Sequence, residues 1–160
     1  MIDCTFENGN RAHLRHVTVG VLALNSNKEI LLVKRSRTIV GEGKLTIPGG
    51  FLDQGESTQE GALRELKEET GYEGKVQALF QVNDNPQRPK EDRQNIDFIY
   101  LVILGEKGEI GTPSEVRENL WFSEANLPPD EDFAFDHRNI ILKHFQYIKS
   151  PFNIPIIGPV

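Results

Sequence analysis

The stretch PGGFLDQGESTQEGALRELKEETGY, Pro48–Tyr72, decides the reading of this chain. Ser57 stands three residues before Glu60, the S-x-x-E pattern in which two side chains satisfy each other's backbone N–H at a helix start. Ala62, Leu63, Leu66 and Thr70 then recur at spacings of three and four, the buried stripe of a helix, and Gly71 supplies the stop. On that helix Glu65, Glu68 and Glu69 fall at i, i+3 and i+4, so they share one face, expected to be presented rather than buried. Like charges at that spacing repel, and in the last turns the helix dipole opposes them further. An arrangement that costs stability needs a compensating cation. Arg64, four residues from both Glu60 and Glu68, softens the repulsion. An oxygen-rich cluster suits a hard divalent ion, Mg²⁺ or Mn²⁺, and Mg²⁺ keeps positions open for water and phosphate.

Taken alone, ELKEE is an ordinary solvated helix face. Its setting at fixed distances after a glycine pair is what changes the reading. Gly49 and Gly50 let backbone approach a ligand closely. Upstream, His16–Leu24 alternates β-branched residues as a strand, Asn25–Glu29 is a turn, and Glu29–Arg35 returns, which predicts a hairpin. Lys44–Gly50 reads as a short strand. After the helix come strands at Lys75–Val82, Asn95–Leu104 and Asn119–Ser123. A last helix covers His137–Ile148, with Ile141, His144, Phe145 and Ile148 on one face and Asp136 as its N-cap. A sheet with two helices is a mixed α/β class, in one domain over residues 1–160.

The spacing in Pro48–Tyr72 resembles the signature of the Nudix hydrolases, G-x5-E-x7-R-E-U-x-E-E-x-G-U, where U is a bulky aliphatic residue. Gly50, Glu56, Arg64, Glu65, Leu66, Glu68, Glu69 and Gly71 match, and only Tyr72 departs, being aromatic in an aliphatic slot. The resemblance implies an α/β/α sandwich with a mixed β-sheet. It implies metal-dependent hydrolysis of the pyrophosphate of a nucleoside diphosphate linked to another group. Glu65, Glu68 and Glu69 would hold Mg²⁺ or Mn²⁺, joined by the carbonyl of Gly49 or Gly50, with Glu56 a second metal-side or structural carboxylate. Arg64 would orient the glutamates. The general base would be Glu65 or a later loop glutamate, of which Glu115, ahead of Trp121, is preferred to Glu118.

The loop Asn83–Gln94 carries Arg88, Lys90 and Arg93, and it resembles the corresponding segment of ADP-ribose pyrophosphatases; Phe133–His137 resembles the start of their last helix. Arg88, Arg93 and Gly50 are therefore expected to bind substrate, and ADP-ribose or a related nucleotide sugar is the expected substrate. A hydrolase of oxidised nucleoside triphosphates or dinucleoside polyphosphates is the alternative. A non-catalytic ligand-binding module is the third reading. It is disfavoured because such modules usually lose box glutamates and this chain keeps all of them.

Composition excludes other classes. The net charge of −6 offers no broad attraction to nucleic acid or an anionic membrane, so positive charge for an anionic substrate must be local. The single cysteine, Cys4, allows no intrachain disulfide, and MIDCTFENGN shows no basic region followed by an apolar core, so a reducing, cytoplasmic setting is expected. The longest apolar run, Phe98–Leu104, is too short to span a bilayer. The tail Ser150–Val160 carries Phe152, Ile154, Ile156 and Ile157 among prolines. It either lies across its own domain or docks on a second copy; the dimeric habit of relatives acting on ADP-ribose favours the second, a homodimer.

Overall fold

The structure is a computed structural model describing residues 2–36, 41–88, 90, 93–109 and 116–159. Its first strands, β1 (Ile2–Thr5) and β2 (Arg11–Leu14), form a hairpin that the sequence reading does not anticipate. The strands β3 (Val17–Leu22), β4 (Ile30–Arg35), β5 (Leu45–Thr46) and β6 (Gly49–Phe51) lead to helix α1 (Thr58–Thr70). After it come β7 (Tyr72–Asn83), β8 (Ile96–Lys107), β9 (Val116–Phe122), helix α2 (His137–Lys149) and β10 (Ile156–Ile157).

The main sheet has five strands in the order β10-β7-β8-β3-β6, parallel at β10/β7 and β8/β3 and antiparallel elsewhere. A second, antiparallel sheet runs β5-β4-β9. Successive residues of a strand face opposite ways. Val19 and Val21 of β3 with Tyr100 and Val102 of β8 therefore meet Ala62 and Leu66 of α1. Leu22, Ile99 and Leu101 meet Ile140, Ile141 and Phe145 of α2. The result is the expected α/β/α sandwich with a mixed sheet.

The predicted hairpin of β3 and β4 is corrected. The two touch only beside their turn, through the Leu24–Ile30 bridge and the Leu31 N–H donated to the Ala23 carbonyl at 3.0 Å. Both edges of β3 are already taken by β8 and β6, so β4 departs into the second sheet. The single strand expected over Lys44–Gly50 likewise divides at Pro48, between β5 in one sheet and β6 in the other. Proline cannot donate to a ladder, and here it only accepts, from Val21 N–H at 2.9 Å.

At the C-terminal helix, Asp136 makes no capping hydrogen bond, and Ile148 is exposed while Ile140 takes the buried place. Of the two courses open to the tail, residues 150–159 take the first and fold back on their own chain. β10 adds to the edge of β7, with Gly158 N–H donating to Val82 O at 2.9 Å and Gln81 Nε2 donating to Gly158 O at 2.7 Å. Phe152, Ile154 and Ile156 pack on the α2-side core. No helix among the described residues is long and apolar enough to cross a membrane.

Candidate active site

Helix α1 begins as its sequence dictates. Ser57 N–H donates to Glu60 Oε2 at 2.8 Å, and Glu60 N–H donates to Ser57 Oγ at 3.3 Å. Glu60 is thereby spent on the cap, and Arg64 turns instead to Glu56. It donates from Nε and Nη2 to the two oxygens of Glu56 at 3.0 and 2.7 Å, the fork-to-carboxylate geometry that makes such pairs strong. Nη1 reaches Glu65 at 2.9 Å and Glu68 at 3.2 Å, and Nη2 also reaches the Phe51 carbonyl at 3.0 Å. The hydrogen bonds from Arg64 hold the Glu56 carboxyl below the usual carboxylate range, and the Arg64 pKa is raised, first by Glu56 and then by Glu65. One guanidinium thus gathers three of the crowded carboxylates.

The acidic face is less open than expected. Glu65 and Glu69 are buried, at 9% and 5% exposure, while the Glu68 side chain keeps 39%. The glycine pair makes the burial feasible. Glu69 Oε2 accepts from Gly49 N–H at 2.9 Å, and a Cβ on Gly50 would stand 2.5 Å from Glu65 Oε1. A Cβ on Gly49 would meet Val19 O at 2.1 Å. Strand β6 therefore lies directly against two carboxylates because it has no side chains there. Among the described residues no three acidic, histidine or cysteine groups stand ready in a metal-ligating arrangement. Glu65 and Glu68 are drawn onto Arg64 instead. The donor set still fits a hard divalent ion: it is all oxygen, it carries charge in excess of its one guanidinium, and two of its carboxylates are shielded from water.

The loop Asn83–Gln94 is tied down from outside. Arg15 donates to the carbonyls of Asp84, Gln94 and Asn95, each at 2.8 Å, so both ends of Asn83–Gln94 are fixed to one side chain. Arg88 is buried and pairs with Asp97 at 3.2 Å and Asp136 at 2.6 Å. Asn83 also donates to Asp136, at 2.8 Å, so the aspartate at the N-cap of α2 spends its carboxylate on this network and not on the helix N–H groups. Burial holds Asp97 above the usual carboxylate range, with Arg88 pulling it back. Lys90 pairs with Asp130 at 2.6 Å. Arg93 sets its guanidinium 5.5 Å from the Phe51 ring centre. Glu115 lies outside the described residues; Glu118, on β9, faces solvent opposite Lys34. Gly49, Gly50, Glu56, Arg64, Glu65, Glu68 and Glu69 are thus together. Arg88 stands in the buried network, and Arg93 stands beside Phe51. Sequence reasoning missed Arg15, Asp97 and Phe51; an aromatic directly after the glycine pair was the one legible signal.

The match to a family model settles the lineage: the NUDIX domain model covers residues 14–143. The chain belongs to the Nudix family. An ADP-ribose pyrophosphatase of Methanocaldococcus jannaschii is 36% identical over 125 residues, spanning 78% of this chain and 70% of that protein. A putative 8-oxo-dGTP diphosphatase of Bacillus subtilis is 38% identical over 109 residues, 68% of this chain and 66% of that one. Among solved structures, a NUDIX hydrolase from Nitrosomonas europaea superposes with a TM-score of 0.75 at 21% identity, covering 99% of this chain and 93% of its own, a likeness of fold. This Nudix protein is a pyrophosphohydrolase of a family that generally uses divalent metals.

Proposed function

We propose that this Nudix hydrolase cleaves the pyrophosphate of ADP-ribose or a closely related nucleotide sugar, adding water to give AMP and ribose 5-phosphate from ADP-ribose. The observation carrying this reading is the convergence of Glu56, Glu65 and Glu68 on Arg64 beside a side-chain-free strand, with Glu69 held by Gly49 N–H. The similarity to the archaeal ADP-ribose pyrophosphatase supports the substrate. Glu65, Glu68 and Glu69, with the Gly49 carbonyl, would hold Mg²⁺ or Mn²⁺. Such an ion neutralises the phosphates and lowers the pKa of the attacking water.

The chain's own residues do the rest. Glu56, bonded to Arg64 through both oxygens, anchors the guanidinium, which favours the structural role among the two open to it. Glu65 and Glu68 make one bond each to Arg64 and turn from it at less cost. Arg64 then orients them without competing for every oxygen. Gly49 and Gly50 leave room for a phosphate at the sheet edge, since neither carries a side chain. Glu65 is assigned the proton of the attacking water, with Glu115 the other candidate for that role.

The same reading takes residues 1–160 as one Nudix domain and, from the lone Cys4, sets it in a reducing cytoplasm. A homodimer would form without the tail, which is occupied in cis; light scattering reads this directly. The similarity to the Bacillus protein favours oxidised nucleoside triphosphates as the second reading. Chromatography of products from ADP-ribose, NADH, nucleotide sugars and 8-oxo-dGTP, in Mg²⁺ or Mn²⁺ and again in chelator, tests both. AMP from ADP-ribose, lost in chelator, supports the first. Turnover of 8-oxo-dGTP without turnover of ADP-ribose replaces it by the second.

A further inference from the structure

The loop that shapes the substrate side carries three described cations, and they are used differently. Arg88 is buried between two aspartates, and Lys90 is paired with Asp130. Arg93 instead lies over the ring of Phe51. Phe51 is 42% exposed, a large apolar side chain left in water at the residue after Gly50. Its backbone is tied to Arg64, because its carbonyl accepts from Arg64 Nη2 at 3.0 Å. Its pairing with Thr18 in the β3–β6 ladder fixes it in place. His16 packs against the same ring, with centres 5.3 Å apart and planes tilted by 49°. An aromatic ring packed by an imidazole and overlain by a guanidinium presents a flat ligand with a planar, polarisable surface, since a base stacks on a guanidinium plane as well as on a ring. Pairing also directs Phe51 to the same sheet face as Thr18, whereas Gly50 meets Glu65 on the α1 side. The ring therefore stands on the sheet face opposite the carboxylates, at the β6 edge that both share.

We propose that Phe51, with Arg93 and backed by His16, is the specificity wall that stacks the nucleobase of the substrate. This rests on the pyrophosphohydrolase reading above and adds to it the feature that would distinguish a base-bearing substrate from any other pyrophosphate. Phe51 is the fixed surface, set by β6. Arg93 is carried over it by the loop that Arg15 staples.

The test compares Phe51→Ala, Phe51→Leu, Phe51→Tyr and Arg93→Gln with the wild type on two substrates. One is ADP-ribose; the other is the symmetrical anhydride of ribose 5-phosphate, which has no base. Losing a base stack typically costs about tenfold or more in affinity. Phe51→Ala and Phe51→Leu should raise KM for ADP-ribose about tenfold with kcat little changed, and leave KM for the base-free anhydride unmoved; Phe51→Tyr should keep wild-type values. Arg93→Gln should show a smaller rise with the same substrate dependence. Binding of 1,N6-ethenoadenosine monophosphate in Mg²⁺, followed by fluorescence anisotropy, reads the same wall without turnover. Equal effects on both substrates, or none, together with etheno-AMP binding that ignores Phe51, overturn the proposal. A wild type that does not hydrolyse ADP-ribose but binds etheno-AMP through Phe51 overturns the substrate reading and leaves the wall standing.

Discussion

Replacing Arg88 by Met separates a buried tie from a substrate ligand. Arg88 stands between Asp97 and Asp136 with all three side chains nearly excluded from water. Methionine keeps much of the volume and removes the charge, so two buried carboxylates are left facing each other. Removing one partner of a buried ion pair typically costs about 3–5 kcal/mol, because the remaining charge is uncompensated. For a chain of this length each kcal/mol lowers Tm by about 2–4 °C, so the drop should be about 6–20 °C. Adding Asp97→Asn and Asp136→Asn to the same chain should return much of it, since neutral amides carry no such penalty.

The pH dependence has a definite sign. Asp97 already sits above the usual carboxylate range because burial disfavours its charged form, and Arg88 pulls it down. Without Arg88 the folded value climbs further above that of the unfolded chain. The folded state then holds the proton more tightly across that window, so its stability falls as pH rises through it. The deficit of Arg88→Met against wild type should be greatest near neutral pH and should shrink as acid protonates Asp97. Urea unfolding by circular dichroism across pH measures it. A loss below about 1 kcal/mol that does not change with pH, accompanied by a raised KM, would mean that Arg88 is a ligand for substrate and not a core tie.

Glu68→Gln and Glu69→Gln should each remove most metal-dependent turnover while the protein stays folded. In chelator, Glu68→Gln should be unchanged or gain a few tenths of a kcal/mol from relieved repulsion, while Glu69→Gln, which weakens the acceptor for Gly49 N–H, should not gain; thermal unfolding beside turnover reads both. Gly50→Ala should lower turnover by about 100-fold or more, because its Cβ would stand 2.5 Å from Glu65 Oε1 and must displace that carboxylate; an active Gly50→Ala enzyme would show that Glu65 has slack to move. Deleting residues after Ser150 exposes the surface under Phe152, Ile154 and Ile156 and should cost about 3 kcal/mol, roughly one for each half-buried side chain, with no change of mass in light scattering; dissociation of a dimer on deletion would contradict the cis packing.

The parts legible in the sequence are those governed by neighbours along the chain. The capping box at Ser57 and Glu60, the stop at Gly71 and the stripe of α1 are set by residues within four positions of one another. The carboxylate spacing likewise carried its meaning locally. What the sequence hid depends on distant partners. β3 and β4 look like a hairpin because each is a good strand, and only the occupation of both β3 edges by β8 and β6 drives them apart. Glu65 and Glu69 read as solvent-facing until a strand of bare backbone closes over them. Arg88 reads as a loop cation because Asp97 lies across the loop on the next strand and Asp136 lies far along the chain. The tail's destination depends on the free edge of β7, which no local pattern in Ser150–Val160 announces.

Arg15 joins Asp84 to Gln94 and Asn95 from a position well outside the segment it closes. The endpoints of that segment are consequently held from outside it, while Arg88 ties its middle inward to Asp97 and Asp136. Residues can be added or lost on either side of Arg88 at small cost, since the entropy of closing a loop grows only slowly with its length. The fold thus carries an adjustable insert built around one fixed tie. On the function proposed above, exchanging the rest of that insert changes which nucleotide is held while the carboxylates on α1 keep their role.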